Sequence, residues 1–121
     1  DENLIKRVVR RVLEGERKKI SELSIAFIEE SRMRALNRKY RRKNRSTDIL
    51  SFSGDDFYEI ILCPSVIRKN AKKFDSSFKS ELAKILVHGI LHLLGYDHEK
   101  SRKEAKRMDK RQEYYLSRLK I

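Results

Sequence analysis

The chain has 121 residues, 39% hydrophobic and 40% charged, which suffices for one compact domain spanning 1–121 and is too short for two ordinary ones. Thirty Lys and Arg against 18 Asp and Glu give +12, a balance that points to a polyanionic partner rather than to an acidic or neutral one. No apolar run nears the roughly 18 residues that cross a bilayer, and no secretory leader pattern opens the chain, so no membrane partner is expected.

Residues 4–20 carry Leu4, Ile5, Val8, Val9, Val12 and Leu13 at helical spacing, which predicts an amphipathic helix. Ser24–Ile28 is short, apolar and rich in strand formers. A second helix is expected over Ser31–Tyr40, with Met33, Leu36 and Tyr40 inward, and then a basic polar loop, RRKNRST. Asp48–Phe52 reads as a second strand, Ser53–Asp56 as a turn, and Tyr58–Cys63 as a third strand closed by Pro64, the only proline. A short helix follows over Ser65–Lys73. Asp75, Ser76 and Ser77 offer caps for a longer one over Phe78–Leu94, which Gly95 stops. A last helix covers Lys100–Leu119, with Ala105, Met108, Tyr115, Leu116 and Leu119 apolar. The expected fold is α+β: a small mixed sheet covered by about five helices, without repeats or internal linkers.

The lone cysteine, Cys63, cannot form an internal disulfide and reads as a small, partly buried hydrophobe. That fits a reducing compartment, and a cytoplasmic location is the expectation. The chain starts at Asp1 rather than Met, which suggests a trimmed N-terminus.

All three histidines fall in one run, H88-G-I-L-H92-L-L-G95-Y-D-H98. His88 and His92, four apart on a helix, leave the same face one turn apart. Gly95 lets the chain turn back and present His98 as a third ligand. Three neutral nitrogens suit one zinc ion per chain on a zincin-like helix and leave a fourth position open, as catalytic sites do. Nickel or another divalent transition metal is compatible, because three imidazoles do not select by affinity. Histidines idle on a helix end are the bland alternative, although Leu91, Leu93 and Leu94 already supply the apolar face. The spacing H-x3-H-x2-G-x2-H is that of the metzincin metallopeptidases. Their general base, a glutamate after the first histidine, is here Gly89.

Read as HGILHLLGYDH, the run resembles the YbeY family of bacterial rRNA-maturation endoribonucleases. Asn37-x-x-Tyr40-Arg41 followed by Thr47-Asp48-Ile49-Leu50-Ser51-Phe52 is similar to that family's N-x-x-Y-R…T-[DN]-V-L-S-F segment, and Glu59–Pro64 sits where the family has its G-D-I-x-I strand. Arg42 stands where a glycine is usual, Ser46 where a proline is, and Tyr58-Glu59 for Gly-Asp. The resemblance implies a zinc-dependent, single-strand-specific endoribonuclease of small-subunit rRNA 3′-end maturation and ribosome quality control. It implies metal ligation by His88, His92 and His98, with Arg41 essential.

In such an enzyme the ion acidifies its water while Arg41 holds a phosphoryl oxygen, so His88 and Arg41 carry the chemistry. Asp97 either orients an imidazole or closes the turn, and Met108 reads as core. Single-stranded RNA and the ribosomal small subunit are the expected partners, with protein partners unspecified. A metallopeptidase and a non-catalytic zinc-stabilised RNA- or ribosome-binding factor remain as alternatives.

Overall fold

The structure, a computed structural model, describes residues 2–20, 22–55 and 57–119. Its elements run α1 (Glu2–Gly15), β1 (Leu23–Phe27), α2 (Glu30–Arg41), β2 (Ile49–Ser53), β3 (Tyr58–Leu62), α3 (Pro64–Lys73), α4 (Phe78–Leu93) and α5 (Arg102–Arg118). The sheet has the order β1-β3-β2, with β1 parallel and β2 antiparallel to β3, so the expected α+β fold with a mixed sheet is the one observed.

Strand alternation divides the core in two. Ile60 and Leu62 of β3 face α4, while Ile61 between them faces α2 together with Leu50, Met33 and Cys63. On β2 the same rule sends Ile49 to the α4 side and Leu50 to the α2 side. The sheet therefore lies between α2 and α4. α4 is apolar nearly all round because α1, α3, α5 and β2 all pack on it; Leu82, Leu86, Ile90 and Leu91 are fully buried. From α1 come Leu4, Ile5, Val8 and Val12, and from α5 Met108 and Tyr115.

Several expectations need correction. α1 stops at Gly15, five residues short of the expected end. Arg17 adopts the left-handed conformation (φ 57°), and the amides of Arg17 and Lys18 turn back to the carbonyls of Glu14 and Leu13 at 3.1 and 2.9 Å. A glycine normally signals such a stop, and none stands at 17. α5 starts at Arg102 rather than Lys100, because the Ser101 hydroxyl caps it by accepting from the Glu104 amide at 3.1 Å. Tyr40 is not inward but 54% exposed, its ring edge-on to Phe52 at 5.2 Å. The inward place is taken by Asn37, 3% exposed, whose amide donates to the Arg45 carbonyl at 2.8 Å and holds down the basic loop. Cys63 is completely buried, and Pro64, not Ser65, is the first residue of α3, where a missing N–H leaves no bond unmade. No described helix is long and apolar enough to cross a membrane.

Candidate active site

The Ser77 hydroxyl starts α4 by accepting from the Ser80 amide at 3.0 Å, which fixes the helix on which His88 and His92 lie one turn apart. Gly95, at φ +105°, ends it. The Gly95 amide reaches the His92 carbonyl and the Tyr96 amide reaches that of Leu91, both at 3.1 Å. That conformation is readily available only to glycine, and it brings the chain back over the helix. His98 thereby meets His88, with ring centroids 5.1 Å apart and planes at 62°. All three histidines line one cleft of about 480 Å³.

Two of the imidazoles are anchored. His88 Nδ1 lies 3.0 Å from Gln112 Oε1 on α5, and His92 Nδ1 lies 3.1 Å from the Tyr96 carbonyl. Both partners are carbonyl oxygens, so each ring donates from Nδ1 and keeps a bare Nε2. Burial pushes the half-buried His88 below the usual histidine range, and the neighbouring His98 and His92 add to it against Gln112 and Asp48. A neutral ring is the form that ligates. His98 is exposed and makes no hydrogen bond among the described residues. Despite the close approach of His88 and His98, no three His, Cys, Asp or Glu side chains among the described residues are gathered to hold a metal ion as they stand. The donor chemistry fits zinc, whereas the arrangement is open.

The opposite wall is basic. Arg41 is the last residue of α2 rather than part of the loop; it lines the cleft and its Nη2 donates to the Ser51 carbonyl at 3.2 Å. Lys43 and Arg45 line it too. Arg42 takes the left-handed C-cap of α2 (φ 58°), conformationally a glycine's position, and is not among the lining residues. Asp97 lines the cleft but closes the turn, accepting from the Glu99 amide at 3.0 Å; among the described residues it bonds to no imidazole. Met108 is core, as expected.

The histidines' supports carry no local signal in the sequence. Gln112 lies 24 residues beyond His88, and nothing local marks it. Behind the turn, Glu16 binds three groups: the Tyr96 hydroxyl donates to it at 2.6 Å, Arg111 through Nη2 and Nε at 2.7 and 3.0 Å, and the Tyr115 hydroxyl as well. Burial would raise the Glu16 pKa, but these donors outweigh it and hold it below the usual carboxylate range. Burial and Glu16 together push the Tyr115 hydroxyl up to about 12. Tyr96 is thus fixed at both ends, by its hydroxyl on Glu16 and its carbonyl on His92.

Gly89 has a steric role as well. A Cβ there would stand 2.6 Å from Ile49 Cδ1, so the bare backbone leaves room for the end of the Ile49 side chain beside the histidines.

The fold and cleft define a class: small α+β proteins with three histidines on a helix and its following turn, facing a wall of arginine and lysine. The family model described as Endoribonuclease YbeY matches residues 1–120. A relative from Thermodesulfovibrio yellowstonii bearing that name is 43% identical over 96% of this chain and 84% of its own length. Another, from Thermosipho melanesiensis, is 41% identical over 94% and 86%. A solution structure from Thermotoga maritima, 35% identical, superposes with a TM-score of 0.70 over 95% of this chain and 77% of that one. The chain belongs to the YbeY family.

Proposed function

We propose that this protein is a metal-dependent endoribonuclease that cuts single-stranded RNA, acting in the cytoplasm on the 3′ end of small-subunit rRNA and in ribosome quality control, with residues 1–121 working as one unit. The observation that carries the reading is the juxtaposition of three histidines with a basic wall. Between Arg32 and Arg45 the chain has eight Lys and Arg and no acid, and three of these basic residues line the histidine cleft. The names of the relatives support it.

His88, His92 and His98 would hold one zinc, or another divalent transition metal, the exposed His98 completing the set from the turn. When bound there the ion supplies Lewis-acid polarisation of a phosphoryl oxygen and a lowered pKa for water. Arg41, steadied by Ser51, offers its remaining N–H donors to a non-bridging oxygen and to the charge that develops on it. Tyr40 and Phe52, packed edge to face beside the loop, offer aromatic surface to an unpaired base. Gly89 disfavours a peptidase. It provides no carboxylate to pass a proton to a leaving amine, whereas an alkoxide leaving group needs that help less.

The test is a titration of single-stranded RNA and a casein-type substrate with the metal-loaded protein. RNA should be cut only with metal present, and casein left intact. Affinity for RNA should fall by about 0.7 log units per log unit of salt for each phosphate neutralised. Metal-dependent proteolysis without RNA cleavage overturns the reading. RNA binding that never leads to cleavage, with any divalent metal, makes the protein a zinc-stabilised binding factor instead.

A further inference from the structure

On the far side of His88 from the arginine wall lies a second cleft of about 320 Å³, which shares His88 and Ile49 with the first and runs between α3, α4 and α5. Apart from His88 and its anchor Gln112, nothing in the three-histidine chemistry uses it. Its outer rim is Phe74, 56% exposed on the turn after α3, with the ammonium groups of Lys84 and Lys73 at 5.3 and 5.7 Å from its ring. Inside is Glu81, on the first turns of α4 and only 4% exposed.

A carboxylate so enclosed ordinarily has a partner. Among the described residues no hydrogen bond or ion pair reaches that of Glu81, and Lys84, one turn along, lies over Phe74 instead. No fully enclosed side-chain oxygen or nitrogen among the described residues lacks a partner. The sliver of exposure left to Glu81 therefore falls on its oxygens; besides a neighbouring cleft of about 450 Å³ towards Leu116 and Leu119, Glu81 lines the space that joins Phe74 to His88. That space is also lined by Asp48, so two carboxylates exclude a phosphate from it, while Lys84 can meet one at the rim.

We infer that this second cleft is a nucleobase subsite: a base of the RNA strand stacks on Phe74 and presents an exocyclic amine to Glu81. The inference rests on the endoribonuclease reading for its ligand class. Aromatic rings stack unpaired bases whatever their identity. The acceptor-only carboxylate then selects, as it does when accepting from cytosine N4. Cytosine and adenine carry such an amine. Uracil has carbonyls where the amine would be and sets them against the carboxylate's lone pairs. With His88 shared between the clefts, the bound base sits beside the bond to be cut, and cleavage acquires a base preference.

The experiment is an anisotropy titration of the full chain with labelled oligouridylate, with and without a single internal cytosine or adenine, the RNA in each tube then run on a gel. Wild type should bind the amine-bearing strands about fivefold to tenfold more tightly. Glu81→Gln should lose that advantage. Phe74→Ala, at an exposed position that does not threaten folding, should weaken binding of all strands about tenfold. Equal binding of the three strands by wild type, a preference unchanged in Glu81→Gln, or undiminished binding by Phe74→Ala each overturns the subsite. Strands bound with the expected preference yet never cut with any metal overturn the endoribonuclease reading and leave the subsite standing.

Discussion

On the α4 side of the histidine cleft two of the three imidazoles are held by buried or half-buried partners. His88 is fixed by Gln112, His92 by the Tyr96 carbonyl, and Tyr96 by Glu16, which Arg111 and Tyr115 also grip. On the α2 side, basic side chains project from a helix end and a loop secured mainly by Asn37 on Arg45, Arg34 on Asn44 at 3.1 Å, and Arg41 on Ser51. An exposed cluster of Glu30 with Lys69 and Ser65 ties α2 to α3; such surface pairs contribute little. The contrast follows from what each wall must do. If the histidines hold a metal, their donor atoms tolerate displacements of only a few tenths of an ångström, and their hydrogen-bonded supports suit that need. A phosphate backbone is held by charge at longer range and tolerates a looser, wetter wall.

This division predicts that damage to the two walls has different signatures. The largest effect is expected at the anchored one. His92→Ala should abolish stoichiometric metal and with it cleavage. It should lower stability by about 3 kcal/mol where free ion stands near 100 times its Kd, on the order of 10 °C in Tm. Metal analysis alongside calorimetry checks this; a variant that keeps its metal and its melting point removes His92 from the ligand set. Across the cleft, Arg41→Ala should reduce RNA cleavage by about 10²–10³ with metal content and melting unchanged. Arg42→Ala, on a side chain outside the cleft, serves as its control. If Arg42→Ala is the damaging change, the two arginines exchange roles and the basic wall lies elsewhere.

The smallest effect concerns the support behind the turn. The folded pKa of Glu16 lies below its ordinary value of 4.5, so the Glu16 network adds stability above that pH. That stability is lost as pH falls through 4.5 towards the folded value. Glu16→Gln should cost roughly 1.5–3 kcal/mol at neutral pH, the magnitude of hydrogen bonds to a charged group. The gap from wild type should close in acid. Denaturant melts at pH 7 and pH 3.5 measure it, and a gap that stays constant means that Glu16 is not the ionised hub.

The elements that were legible in the sequence are those whose signals are local. Val8 and Val12 announce a helix by period, Ser77 and Gly95 bracket α4, and the short apolar run Ile60–Cys63 closed by Pro64 announces a strand. The His88–His98 run declares its turn through Gly95. What stayed hidden depends on partners far along the chain. Arg17 and Arg42 hold left-handed positions with no glycine to mark them. Tyr40 and Asn37 exchange inside for outside because the Arg45 carbonyl needs a donor more than the core needs a ring. Gln112, Glu16 and Glu81 look like ordinary surface residues of amphipathic helices until α1, α4 and α5 are assembled. The basic stripe was visible as composition, but which of its arginines enters the cleft depends on where α2 ends.

Gly89 also marks where two chemistries part. In the metzincin spacing that this run shares, the residue after the first histidine is the glutamate on which peptide hydrolysis depends. Here that position is sealed by Ile49, whose methyl occupies the volume a side chain would need. Restoring the glutamate would therefore require the end of the Ile49 side chain to move aside, next to the Ser51 that steadies Arg41. The two chemistries are one codon apart in sequence, and in space the change would fall on the end of one side chain packed beside the histidines.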